Sequence, residues 1–262
     1  MKSLLEAKHL SVGYAKKEVL SDISFTLYEG ELCAILGANG CGKTTLFRGI
    51  MGADAWIKGQ CMVDNENILL MAPKKRAKEV ALLPQKLEVP SGMLVKDIIE
   101  MGFYPRLTLL GNPTKEMENE MKTVMESVGI ISLLENYYQE LSEGQKQLVL
   151  LVRTLIQNTP IIFMDEPDSA LDFTNKHQMF FRLKDLVRQQ KKSGLLVLHD
   201  PSIALTYCNR IYLMKEGRLI EEIKPDIETV EVIREKLQLL YGNIFIQKNK
   251  KFIQVWYEEM SS

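Results

Sequence analysis

The chain has 262 residues, with 46% hydrophobic and 26% charged residues. That is the balance of an ordinary globular protein, and it argues against disorder. A formal net charge of −1 supplies no global field to attract nucleic acid. The four cysteines (Cys33, Cys41, Cys61, Cys208) form no CxxC pair, and only His9, His177 and His199 are available beside them. Both facts argue against a zinc site or a disulfide framework and for a reducing compartment.

In chain order, "LLEAKHLSV" and "VLSDISFTLYEG" alternate and predict strands, and "ELCAILG" is a short buried strand ending in glycine. "TTLFRGIMG" predicts a helix, "GQCMVDNENI" a strand and turn, and "EVALLPQ" another buried strand closed by Pro84 and Gln85. From about Lys86 to Gln157 the texture turns helical, in "VKDIIEMGF", "EMENEMKTVMESVGI" and a stretch that opens "LSEGQ" at Leu141. In that last stretch Leu148, Leu151, Val152, Leu155 and Ile156 share one face at helical spacing. Buried strands return at "IIFM" and "LLVL", separated by a helix around 175–192. "RIYLMKEGRLIEEI" predicts a hairpin turning at Glu216-Gly217. The tail predicts a helix near 227–240 and a hairpin through "NIFIQKNKKFIQVWY". Strands alternating with helices give an α/β class with a mainly parallel core, into which the all-helical middle is inserted. "PKKRAK" is the only basic run and reads as a solvated short helix ahead of the next strand. No apolar run reaches the length of a membrane span, and the N-terminal residues lack the apolar core of a signal peptide.

"GANGCGKT", Gly37 to Thr44, fits G-x-x-x-x-G-K-[ST] without a mismatch, between a buried strand and a helix. Gly40 and Gly42 let the backbone curl until its N–H groups form a nest for phosphate oxygens. Lys43 is suited to neutralise β- and γ-phosphates, and Thr44 to give its hydroxyl to Mg²⁺. "IIFMDEP" supplies a carboxylate for the same ion, because Asp165 ends a run of four buried apolar residues. Strand neighbours point to opposite sides, so Asp165 is assigned to Mg²⁺ and Glu166 to polarising a water as general base. "SEGQ" reads as a capping box, Ser142 capping the helix and Gln145 reaching back. A helix start is also an anion site.

With these motifs in order, nearly the whole chain resembles the ATP-binding subunits of ABC transporters. Tyr14 is similar to the family's adenine-stacking aromatic, Gln85 to the Q-loop glutamine and "LSEGQ" to the signature. "SALD", Ser169 to Asp172, resembles the D-loop, and His199 the switch histidine that senses γ-phosphate. The resemblance implies one ATP-binding domain with a P-loop NTPase core at 1–87 and 158–223. N-terminal antiparallel strands, a helical subdomain at 88–157 and a C-terminal extension at 224–262 complete it. It implies ATP and Mg²⁺ as cofactors. ATP would be held by Tyr14, Gly37, Ala38, Asn39, Gly40, Cys41, Gly42, Lys43, Thr44 and Thr45, with Ser142, Gly144, Gln145 and Asp172. Mg²⁺ would be held by Thr44, Gln85 and Asp165, and catalysis served by Glu166, His199, Lys43 and Gln85.

The resemblance further implies a homodimer, or a paired ATPase subunit, closed head to tail by ATP, so that Ser142 and Gly144 of one copy meet the γ-phosphate held by the other. A polytopic permease and, through it, a substrate-binding protein are the other implied partners, with no nucleic acid. The expected place is the cytoplasmic face of the membrane. "VKDIIEMGFYPRL" is similar to importers of iron–siderophore, haem and cobalamin compounds. An exporter subunit or a non-transport ABC protein is the alternative. Glu143, Asp168 and Cys41 depart from the common family pattern. Phe103 and Tyr104 read equally as exposed anchors for a partner or as packing inside the helical subdomain.

Overall fold

The computed structural model describes residues 2–53, 55–108, 111–249 and 252–257. They form two compact units, residues 1–71 with 183–262 and residues 72–182. The first unit opens with strands β1 (Ser3–Tyr14), β2 (Lys17–Tyr28) and β3 (Leu32–Leu36), helix α1 (Lys43–Met51), and strands β4 (Trp56–Val63) and β5 (Glu66–Asn67). The second unit holds α2 (Pro73–Glu79), β6 (Val80–Leu83), α3 (Val95–Glu100), α4 (Lys115–Val128), α5 (Glu143–Ile156) and β7 (Ile161–Asp165). It ends inside α6 (Phe173–Gln189). The chain then returns to the first unit with β8 (Ser193–Val197), α7 (Pro201–Tyr207), β9 (Arg210–Lys215), β10 (Arg218–Ile223), α8 (Val230–Tyr241), β11 (Ile244–Asn249) and β12 (Phe252–Tyr257). Among the described residues no helix is long and apolar enough to cross a membrane.

In the first unit β3 runs parallel to both β8 and β9, and β10 pairs antiparallel with β9. All five residues of β3 and all five of β8 are buried, as a parallel strand covered on both faces requires. Beside them β2, β1, β4 and β5 form an antiparallel sheet in that order. The alternation predicted for "LLEAKHLSV" breaks at His9, where the β1–β2 register shifts. His9 and the facing Asp22 both have positive φ, 49° and 56°, and their side chains meet at 2.6 Å. The expected hairpin turn at Glu216-Gly217 is present, with φ of 48° and 75°, the twist a two-residue connection favours. Gly217 is needed there twice over, because a Cβ would lie 2.2 Å from the Val19 carbonyl oxygen.

In the second unit β6 and β7 pair in parallel. The segment 88–157 contains α3, α4 and α5 and no named strand among its described residues. α2, the "PKKRAK" helix, buries none of its residues, which is the solvated helix expected.

Two expectations need correction, and one open alternative is decided. The burial of α5 is broader than one stripe. Val149 and Leu150 are buried while Leu148 and Leu155 are only half-buried, since the helix is enclosed nearly all round. Phe103 is core, with none of its surface exposed, whereas Tyr104 is 63% exposed. The α-helix at "VKDIIEMGF" ends at Glu100, and Met101–Phe103 tighten into a 3₁₀ turn.

Candidate functional site

The phosphate-loop half lies in the first unit. β3 ends at Leu36, and the chain turns through Gly37–Gly42 into α1. Gly42 is the N-cap with φ of 111°, and a Cβ there would stand 2.3 Å from Leu20 Cδ2. Gly37 is held as tightly, with Met214 O 2.3 Å and Cys41 Sγ 2.8 Å from an added Cβ. Gly40 also has positive φ, 78°, but open space around it. No side chain caps α1, and its first turn carries no acid, so nothing on the helix itself competes with an incoming anion. Lys43 is buried, and its Nζ donates to Gly37 O at 2.7 Å and Ala38 O at 3.1 Å. The loop thus folds round its own ammonium group. Burial raises the Cys41 thiol pKa, and the Lys43 charge works against that. Ala38, Asn39 and Gly40 are exposed, while Thr44 and Thr45 are half-buried. Tyr14 is half-buried at the end of β1, opposite Lys17. His199 is exposed just beyond β8, and Asp200 after it caps α7 by accepting from Ser202 N at 2.8 Å and Ile203 N at 3.3 Å.

The carboxylate half lies in the second unit. Asp165 closes β7 at 3% exposure. Glu166 has φ of +52°, so the chain has already left strand geometry there. Strand alternation therefore does not extend to Glu166 and cannot be what separates the two acids, which corrects the sequence argument. Gln85 lies two residues beyond the end of β6, and its Nε2 donates to Glu166 Oε2 at 2.6 Å. The next residues are pinned from α5, where Gln147 Nε2 donates to Pro167 O at 3.3 Å.

The start of α5 is a complete capping box. Ser142 Oγ accepts from Gln145 N at 3.3 Å and Gln145 Oε1 accepts from Ser142 N at 2.9 Å. Gly144 is small for a packing reason, since a Cβ would come within 3.0 Å of Ala170 O. Glu143 points to solvent, 79% exposed, and pairs with Lys146 at 2.8 Å. Asp172 caps α6, accepting from Asn175 N at 2.9 Å and from Asn175 Nδ2 at 2.7 Å.

Residues 20–169 match the profile of the ABC transporter family. The chain belongs to that family. It is an ATP-binding subunit of the ABC type, and an ATPase. It is 30% identical over 90% of its length to the petrobactin import ATP-binding protein FpuD of Bacillus anthracis, covering 85% of that protein. It is 31% identical over 91% of its length to the ferric enterobactin transport ATP-binding protein FepC of Escherichia coli, covering 87% of it. Its fold matches a nucleotide-free ATP-binding cassette from an ABC transporter with a TM-score of 0.77, at 24% identity, covering 90% of this chain and 96% of that one.

Within this ABC subunit several residues hold segments of the site that motif reading left without a role. Asp168, one of the departures from the family pattern, forms a 2.9 Å salt bridge with Lys176 and ties the 168–172 segment to α6. Gln147 was hidden because a glutamine inside an apolar helix carries no motif. Asp200 was legible, because Asp-Pro is the sequence mark of an N-cap followed by proline at the first helical position.

Proposed function

We propose that this ATPase powers an importer of an iron chelate, such as a siderophore or haem, or of a related metal complex such as cobalamin. It would work as a peripheral subunit on the cytoplasmic face of the membrane. The observation that carries the reading is the loop Gly37–Thr44, wrapped round Lys43 at the uncapped start of α1. The import direction and the cargo are supported by similarity to the petrobactin and ferric enterobactin proteins.

Lys43 leaves its two carbonyl partners and turns to the β- and γ-phosphates, while the loop amides of Gly37–Thr45 hold the remaining oxygens. Tyr14 stacks on adenine. Thr44, Asp165 and Gln85 are hard oxygen donors that suit Mg²⁺, an ion that takes one or two carboxylates and leaves other positions to phosphate and water. When bound, the ion neutralises phosphate charge. Asp165, a carboxylate at 3% exposure, fits that role, because a buried anion needs a compensating cation or donors. Glu166 takes the proton of the attacking water, and Gln85 holds the carboxylate by its 2.6 Å hydrogen bond. His199 and, from the second subunit, Ser142, Gly144 and Gln145 meet the γ-phosphate. Asp172 supports that surface from the start of α6.

A groove of about 800 Å³ in the second unit is lined by Gln85, Leu87, Val89, Tyr138, Glu143 and Leu150 among others, and it supports docking of a permease loop beside Gln85. The test is phosphate release by the purified chain with Mg-ATP, then ATP-driven uptake of a ferric siderophore in vesicles holding its permease. No phosphate release ends the proposed site roles. Hydrolysis with substrate leaving the vesicles in the export direction ends the importer reading.

A further inference from the structure

The C-terminal extension lies outside the matched family region of residues 20–169, and no sequence motif assigns it a task. It touches α7, the helix that follows His199, within the first unit. The contact is β12 against α7. Val255 N donates to Ser202 Oγ at 3.0 Å, Ile253 N donates to Thr206 Oγ1 at 3.3 Å, and Thr206 Oγ1 donates back to Ile253 O at 3.4 Å. The spacing explains why the fit is specific. Residues i and i+4 of a helix lie about 6 Å apart along the axis, and residues i and i+2 of a strand about 6.7 Å, so two hydroxyls on one helix face match two outward amides of one strand. β12 pairs with β11 along its other edge, and α7 covers the edge that would be left open. Ile244, Ile246 and Ile253 on the hairpin and Ile203 and Tyr207 on α7 are all buried. Tyr241 ends α8 in the same unit. Burial first, then the nearby Asp200 and Cys41, push its phenol up to about 12.

α7 has only seven residues, too few to be a stable helix on its own. What fixes it is Asp200 at the front and the hairpin along its side. His199 stands directly ahead of that cap, between α7 and the β8 end, where Leu198 N donates to Ile35 O at 3.2 Å. We propose that the β11–β12 hairpin is a positioning clamp for His199, acting through Ser202 and Thr206 of α7. This rests on the ATPase reading above, in which His199 meets the γ-phosphate. Ser202, Thr206 and Val255 are positioning residues and touch no nucleotide.

The test compares the full chain with Ser202→Ala/Thr206→Val, Thr206→Ser and Val255→Pro, the last removing the strand donor while leaving α7 intact. The expected result for the double variant and for Val255→Pro is a fall in kcat of about tenfold, with ATP affinity and KM within about twofold of the parent, as misplacement of a transition-state group predicts. Thr206→Ser keeps the hydroxyl and should keep kcat. The chain has only three histidines, so the imidazole carbon-bound proton signals can be read separately by NMR. The His199 signal should move in the clamp variants while those of His9 and His177 stay. A folded Val255→Pro with unchanged kcat and an unmoved His199 signal overturns the clamp. So does an equal loss of kcat and ATP affinity, which would mark general loosening. If the double variant does not fold, Val255→Pro alone decides. A parent chain that binds but never hydrolyses ATP would sink the catalytic reading, and the His199 signal would still judge the clamp.

Discussion

The starts of α1 and α5 are two versions of one device, a helix N-terminus with glycine close by, and they stand in opposite states. α1 begins at a left-handed Gly42 with no capping side chain and no acid in its first turn. α5 is sealed by Ser142 and Gln145 and carries Glu143 in its first turn. An open start offers its amides to a ligand at once. A capped start binds an anion only by giving up bonds it already has. The first therefore suits tight resident nucleotide, and the second a contact made and broken once per cycle. The lysine follows the same division, since Lys43 is buried in its loop whereas Lys146 is spent on Glu143.

The comparison breaks most visibly at Lys43. Lys43→Ala should lower hydrolysis at least about 100-fold and weaken ATP binding, because the charge on the developing phosphate is gone. Unchanged steady-state turnover would refute the assignment of α1. Glu166→Gln should slow hydrolysis about 100-fold or more while ATP still binds, since the amide cannot take a proton. An ATP-dependent dimer that persists on size exclusion is the expected sign. Rapid nucleotide loss with no dimer would remove the sealed helix start from the closed state.

The openness of the α1 loop can be sharpened with a thiol reagent. Burial pushes Cys61 and Cys208 up to about 12 and also raises Cys33, while Cys41 is half-buried in the loop. In the native protein Cys41 should react ahead of the three buried thiols, and saturating Mg-ATP should slow it about tenfold or more by mass action. Equal labelling with and without nucleotide would mean that ATP does not cover Cys41.

Ser142→Ala should cost about 1 kcal/mol, as the loss of an N-cap does. For a chain of this size that is about 2–4 °C in Tm by thermal denaturation. A gain in ATP-driven dimer affinity in the same variant would show that the cap competes with phosphate, and no change would show that it does not. Glu143 should matter least. Bare repulsion of phosphate from about 10 Å is roughly 1–2 kcal/mol per charge pair at an effective dielectric of ~20. Lys146 at 2.8 Å offsets that charge, and the exposed pair itself contributes only about 0.3–0.5 kcal/mol. Glu143→Gln in a hydrolysis-deficient background should therefore shift dimer affinity by no more than about threefold. A tenfold tightening that vanishes at high salt would show that the glutamate opposes closure.

Much of the molecule was legible because the signals are local. The all-buried run of β3, the glycines of the loop, the box at Ser142-Gln145 and the turn at Glu216-Gly217 each state their conformation within a few residues. The face of α5 was misread for the opposite reason. Periodicity reports one buried stripe, and this helix is enclosed on several sides, so Val149 and Leu150 are buried outside the stripe. Phe103 beside Gly102 was ambiguous in sequence. Gly102 lets the Arg153 carbonyl come within 2.3 Å of where a Cβ would stand, and that close approach seals the aromatic in the core.

By itself the sequence determined the α/β class, the strand–loop–helix phosphate cradle, the capped start of α5 and the pair of acids at the end of β7, because each depends on neighbours within a few positions. Tertiary structure alone decided the rest. It turned Glu166 into a left-handed conformation and set Gln85 upon it across 81 residues of chain. It gave Asp168 to Lys176 and brought the amides of Ile253 and Val255 to hydroxyls some fifty positions earlier. Sequence spacing carries no record of such partners, since the hydrogen bonds that hold them form only when distant backbone segments are packed side by side.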